Sequence, residues 1–274
     1  ERLAGDAGLT LPEVTPEEEA AYKRRGTLYD VMEAASKWYE AQLKGLDGKA
    51  AKDYISGRGL SSEALETFRI GYAPSGRTGL KEALLSSKYT EDMMVEAGML
   101  IRPDGGGETY DRFRDRVMFP ILDMRGQIIA FGGRALQKDA KAKYLNSPET
   151  PLFHKGHTLY NIPSARKVAF EVGDVIVTEG YMDVIALAEG GFKNSVAPLG
   201  TALTEDQITL LWRMAAEPTL CFDGDKAGFK AAGRALERAL SIIKPGLSLK
   251  FALMPEGDDP DTLIRREGKG AFNA

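Results

Sequence analysis

Residues 221–232 read CFDGDKAGFKAA. An apolar run leads in, two aspartates flank one glycine, and a helix-like run leads out. Alone, Asp223-Gly224-Asp225 fits either an acidic turn that starts a helix, where Asp is favoured, or a pair of carboxylates holding a cation. The neighbouring segments bear on the choice. Upstream lie DVIVTEG (174–180), extended, then YMDVIALAEGG (181–191), helical, then SVAPLGT and LTEDQITLLWRMAAE. Downstream lie the helical KAGFKAAGRALERALSIIK, the extended LSLKFALMPEGDDPD and the helical TLIRREGKGAF. Short extended runs alternating with helices predict an α/β unit with a mainly parallel sheet. Thr204 with Gln207 fits a capping box at one helix start.

Ligand sites of such sheets form beyond the carboxyl ends of the strands. Three of the four runs end in acid: Glu179 after the first, Asp223 and Asp225 after the third, and Asp258, Asp259 and Asp261 after the fourth. Residues i and i+2 of an extended segment point the same way, so Asp223 and Asp225 share a space, as do Asp259 and Asp261. Carboxylates gathered at one edge repel unless a cation intervenes. Oxygen donors with no His or Cys nearby suit Mg2+ or Mn2+, and with them phosphoryl or nucleotidyl transfer.

The rest of the chain differs in character. The 274 residues carry a net charge of −4, but residues 102–170 hold 12 Lys+Arg against 7 Asp+Glu. Polyanion binding or a solvated surface both produce such an excess. Residues 1–20, rich in Pro and Glu, read as a tail that becomes helical at its end. Helical spacing of Leu28, Val31, Met32, Ala35, Trp38, Tyr39 and Leu43 predicts a helix over residues 20–43. Short helices are expected up to Gly57, after Ser61 or Ser62, and from Thr90 to about Gly98. Residues 102–113 read as an exposed turn, residues 116–136 as a hairpin turning at residues 123–126, and residues 138–161 as a long basic loop. Arg112, Arg114 and Arg116 alternate, which would put all three on one face for a DNA template strand if the segment is extended; a charged strand edge is the other reading. Gly132 and Gly133 would let Arg134 and its backbone approach a ligand. His154 and His157 have metal-like spacing but no third ligand close by, and Tyr144, Phe153 and Tyr160 either stack on bases or anchor the loop. The single cysteine, Cys221, excludes a disulfide within the chain and a cysteine zinc site. No apolar run approaches the ~20 residues of a membrane span, so no membrane partner is expected and the cytosol is the natural compartment.

VTEGYMDVIAL, FDGDKAGFKAA and EGDDPDTLIRREG together resemble the toprim domain of bacterial DNA primases of the DnaG type. YISGRGLSSEALETFRIGYAP, DRFRDRVMFPI, AFGGRAL and KYLNSPETPLFHKG resemble that family's N-terminal catalytic subdomain. The resemblance runs from about Lys37 to the end. It implies a mixed α+β subdomain (residues 21–170) followed by a toprim α/β subdomain (171–274), and RNA primer synthesis on single-stranded DNA from nucleoside triphosphates. It assigns Glu179, Asp223 and Asp225 to the toprim acids and Asp183, Asp259 and Asp261 to further acidic positions near the metals. Glu179 is either a ligand or a proton-transfer group, and Asp183 either a ligand, a group behind the ligands or a helix-start residue. Arg58, Arg134, Lys143 and Lys155, with Tyr144 and Asn146, match positions that bind nucleotide phosphates and template. The implied setting is the replication fork at the nucleoid. Whole primases of this type also carry a zinc-binding domain and a region contacting the replicative helicase. The expectation is therefore a catalytic-core fragment with weak template affinity, poor or no self-initiated priming and no helicase contact of its own. The alternatives are another toprim enzyme, a nuclease or topoisomerase, and a non-catalytic module binding single-stranded nucleic acid or nucleotide.

Overall fold

The helical spacing near the N-terminus is realised as α1 (Pro16–Lys44), with Leu28, Val31, Met32, Ala35, Tyr39 and Leu43 buried along one face. The computed structural model describes residues 16–137, 139–200 and 202–272. Of the stretch read as a tail, residues 1–15 lie outside the described residues and the last five are helical. Two short helices follow, α2 (Lys49–Gly57) and α3 (Ser62–Thr67). Ser61 caps the second by accepting the Ala64 N–H at 3.1 Å. After β1 (Gly71–Ala73) come α4 (Gly79–Leu85), which the sequence reading missed, and α5 (Glu91–Glu96), capped by Thr90.

The residues taken as an exposed turn supply β3 (Tyr110–Asp111), which pairs antiparallel with β2 (Leu100–Ile101) just ahead of them. The expected hairpin is β4 (Arg116–Leu122) and β5 (Ile128–Ala135), with Asp123 Oδ1 accepting the Arg125 and Gln127 N–H groups in its turn. The basic loop contains β6 (Tyr144–Asn146), which pairs with β5 and completes an antiparallel sheet of order β1-β4-β5-β6. Leu152, Phe153, Leu159 and Tyr160 are buried and pin the remainder of that loop.

The second sheet is parallel, as the alternation predicts, with order β10-β9-β7-β8. Its elements are β7 (Ile176–Val177), α7 (Tyr181–Glu189), β8 (Ser195–Val196), α8 (Glu205–Trp212), β9 (Thr219–Phe222), α9 (Lys226–Ile242), β10 (Lys250–Leu253) and α10 (Pro260–Phe272). Thr204 and Gln207 form the full capping box at α8. Ahead of β7 the structure adds α6 (Ile162–Val172), a stretch to which the sequence reading assigns no element. That helix crosses residue 170, and its Ile162, Ala165 and Ala169 pack into the core of the parallel sheet. The core beneath the antiparallel sheet also takes in Tyr181, Met182, Val184 and Ile185 of α7. The two sheets are thus tied by the same helix that starts beside Glu179. No helix among the described residues is long and apolar enough to cross a membrane.

Candidate active site

Parallel pairing of β7, β9 and β10 sets their C-terminal ends side by side. Thr178-Glu179-Gly180 leaves β7, Asp223-Gly224-Asp225 leaves β9, and residues 254–259 leave β10. The three turns are bonded to one another. Asp223 N–H donates to Glu179 Oε1 at 3.3 Å. Gly224 N–H donates to the Asp258 carbonyl at 3.0 Å. Asp261 N–H donates to Asp183 Oδ1 at 3.3 Å. Gly224 is demanded by this contact, since a Cβ there would lie 1.9 Å from the Pro255 carbonyl oxygen.

The acids do not all play one part. Asp223 is half-buried, and its Oδ1 is buried with no hydrogen-bond partner. Burial, then the charges of Glu179, Asp259 and Asp225, push its carboxyl up to about 6, against the pull of Lys143. Asp183 is buried and pushed up to about 8, by burial first and then by Asp259, Asp223 and Asp261. Asp225 is exposed, and its Oδ1 accepts the Ala227 and Gly228 N–H groups, both at 2.8 Å, so it caps α9. One aspartate of the tripeptide therefore starts the helix, and the other presents an unpaired oxygen. Asp259 Oδ1 accepts the Thr262 N–H at 2.7 Å. Asp261 is the member of the predicted metal set that stands apart. It is buried, and its carboxylate is taken by Arg58 at 3.0 Å and by Arg265. Asp258 is likewise held, by Arg266 at 2.7 Å through both oxygens.

Among the described residues, no three His, Cys, Asp or Glu side chains converge closely enough to hold an ion as they stand. What the site does show is an orphaned buried carboxylate oxygen and mutually repelling acids. Both fit a hard divalent cation held by Asp223 with Glu179, Asp183 or Asp259 and solvent.

The cations come from the antiparallel unit. Arg134, at the end of β5, lies over the Tyr54 ring at 4.3 Å from Cζ to centroid and faces Tyr144 at 6.0 Å. Lys143 is exposed, 5.8 Å from the Tyr144 ring, and close enough to Asp223 to act on its ionisation. Lys155 lies in a 3-10 turn (Lys155–His157), where its backbone bonds to Glu149 and Gln207, and no contact joins its side chain to the acids. Asn146 is occupied structurally: its Nδ2 donates to the Leu199 carbonyl and its Oδ1 accepts the Tyr181 hydroxyl at 2.5 Å.

Two expectations change. Asp115 has φ +50°, so the alternation of Arg112, Arg114 and Arg116 is broken and they share no strand face. Each donates to backbone carbonyls: Arg112 to Gly98, Arg114 to Asp111, and Arg116 to Gly133 and Ala142. Second, Gly132 and Gly133 make room for packing. A Cβ on Gly132 would lie 2.5 Å from the Tyr181 ring, and one on Gly133 would press on Phe113 and Arg116. His154 and His157, for which the sequence offers no third ligand, are exposed and face different acids, Glu149 and Asp206.

Tyr181 is the residue that sequence reading missed. It stacks on Phe119 at 5.4 Å and meets Tyr160 edge-on at 4.8 Å, joining the two sheets beside Glu179. The available signal was a lone aromatic at the first position of a helix whose other apolar residues are aliphatic or Met. Tyr181→Phe leaves Asn146 Oδ1 without its donor and is expected to cost about 1 kcal/mol, lowering Tm by roughly 2–4 °C. Thermal unfolding of the two proteins checks it, and equal Tm values would show that the bond contributes nothing.

A parallel sheet with acids at adjoining strand ends, docked on an antiparallel unit that brings cations to them, is the architecture of a toprim polymerase core. A family model described as the DNA primase catalytic core, N-terminal domain, matches residues 38–166, and one for the toprim domain matches residues 173–252. The DNA primase of Pseudomonas putida is 48% identical over 277 aligned positions, covering 100% of this chain and 42% of that protein. The DNA primase of Escherichia coli K12 is 46% identical, over 92% of this chain and 43% of its own length. Among solved structures, a DNA primase domain from Pseudomonas aeruginosa superposes with a TM-score of 0.85 at 48% identity, over 90% of this chain and 77% of that one. A DnaG primase catalytic domain bound to single-stranded DNA gives 0.83 at 45%, over 92% and 81%. The chain belongs to the family of DnaG-type DNA primase catalytic cores, and it spans less than half the length of the curated relatives it matches.

Proposed function

We propose that this chain joins ribonucleoside triphosphates into an RNA primer on a single-stranded DNA template. The observation that carries the reading is the buried, unpaired Oδ1 of Asp223, set among Glu179, Asp183 and Asp259, with Lys143 of the antiparallel unit close enough to act on its carboxyl. The solved relative bound to single-stranded DNA supports the template assignment. A bound Mg2+ or Mn2+ would supply positive charge to the attacking hydroxyl and the leaving pyrophosphate oxygens. The chain's own groups do the rest. Lys143 and Arg134 meet the triphosphate, Lys as a point charge and Arg as a planar fork. Glu179 and the Asp223 backbone fix each other, so the acid edge is preorganised before substrate arrives. In this reading residues 21–170 present the cations and residues 171–274 the acids, with helix Ile162–Val172 packed on the acid side. The reaction would take place in the cytoplasm, at replication forks.

Incubation with a short RNA annealed to single-stranded DNA, the four ribonucleoside triphosphates and Mg2+ or Mn2+ is expected to extend the RNA along the template. EDTA abolishes the product and added metal restores it. RNA made without metal would overturn the metal assignment. Nicked DNA in place of RNA would move the chain to the toprim nucleases.

A further inference from the structure

We propose that Tyr54 is the positioning residue that orients Arg134 for the triphosphate; this rests on the nucleotide-binding reading above. Tyr54 lies in α2 and is half-buried against the core of the antiparallel unit. Arg134 Cζ is 4.3 Å from its ring centroid and Arg58 Cζ is 5.9 Å away. The two arginines come from unrelated elements, the end of β5 and the C-cap of α2, yet meet at one ring. Arg134 is flanked on its other side by Tyr144, its cross-strand partner.

The chemistry explains why a ring stands here. A carboxylate would hold an arginine by occupying its N–H fork, and that fork is what a phosphate needs. An aromatic face attracts the cation through its quadrupole and leaves the in-plane N–H groups open. Arg134 fits this in part: one Nη donates to the Ala135 carbonyl at 2.9 Å and its Nε is buried without a partner, so the Nη groups are what it can offer a phosphate. Arg58 has one Nη on Asp261 at 3.0 Å, and Asp261 bonds through its N–H to Asp183. Tyr54 thereby links the cations to the acid edge without adding a negative charge that would repel substrate. The Tyr54 hydroxyl is buried, makes no well-formed hydrogen bond and lies close enough to act on Arg58, so at Arg134 it is the ring that carries the role.

The test compares Tyr54→Phe, which keeps the face, with Tyr54→Leu and Tyr54→Met, which fill the site without one. Primer synthesis is measured at saturating template, alongside equilibrium binding of a fluorescent ribonucleoside triphosphate with Mg2+. Leu and Met are expected to raise KM and Kd for nucleotide by roughly 3- to 30-fold, with kcat within about twofold. Phe is expected to match the parent. In an Arg134→Ala background, Tyr54→Met should add only the part of its effect exerted through Arg58. Having two non-aromatic variants guards against one that fails to fold. Loss in Phe equal to that in Met, a fall in kcat at constant KM, or full additivity with Arg134→Ala would overturn the proposal. The binding arm separates this from the polymerase reading: absent RNA synthesis with intact nucleotide binding sinks the latter and still reads the role of Tyr54.

Discussion

Asp223→Asn is expected to lower primer synthesis by about 10³-fold or more, while Tm in metal-free buffer stays level or rises. The two readouts move apart because the same feature sets both. Asp223 is held half-buried with one oxygen unsatisfied, among three other acids. Asparagine keeps the shape and removes the charge, so repulsion falls and cation affinity is lost. The pH dependence has a definite sign. The raised carboxyls of Asp223 and Asp183, at about 6 and about 8, keep protons that the unfolded chain has already released. Wherever the folded state binds more protons, stability falls as pH rises. Metal-free protein should therefore lose stability from about pH 4 towards pH 8, and Asp223→Asn should flatten the lower part of that slope. Thermal melts across this range, with and without Mg2+, check it. A variant that keeps full activity would remove Asp223 from the metal site, and a slope of the opposite sign would remove the repulsion argument.

The parts of this design that sequence reveals are those with a local cause. Strand–helix alternation is written in short apolar runs and caps, so the parallel sheet and the box at Thr204 are legible. Acids at strand ends are legible too, because parallel pairing brings those ends together. Which acids stay free is decided by partners distant in sequence or on the next helix. Asp261 is neutralised by Arg58, 203 residues away, and by Arg265 four residues on. The i,i+4 pairing was a readable signal on α10; the contact with Arg58 was not. Helix Ile162–Val172 was missed because its three buried residues, Ile162, Ala165 and Ala169, are sparse and follow a polar loop. The alternating arginines misled for a backbone reason: Asp tolerates the left-handed conformation, and Asp115 adopts it.

Gly224→Ala should be the most damaging single methyl group in the acid site. Its Cβ would lie 1.9 Å from the Pro255 carbonyl oxygen and 2.5 Å from that of Met254. Both obstacles are backbone, so relief requires the turn after β9 to part from the turn after β10. That movement breaks the Gly224 N–H bond to Asp258 and the Gly257 N–H bond to Gly224. Overpacking of this kind costs about 1–3 kcal/mol or more, which lowers Tm by roughly 3–10 °C in a chain of this size. Activity is expected to fall further than stability accounts for. Asp223 and Asp225 flank the displaced residue and Asp259 rides on the opposing turn, and a shift near 1 Å costs about 10²-fold in rate. Gly233→Ala is the matched control. Gly233 lies within α9, where an added Cβ meets nothing within 4 Å. There the same methyl group should stabilise by about 0.5–1 kcal/mol and leave synthesis unchanged. If Gly224→Ala melts and polymerises like the parent, the close approach of the two turns does not hold the acids in place, and the strand ends alone must do so.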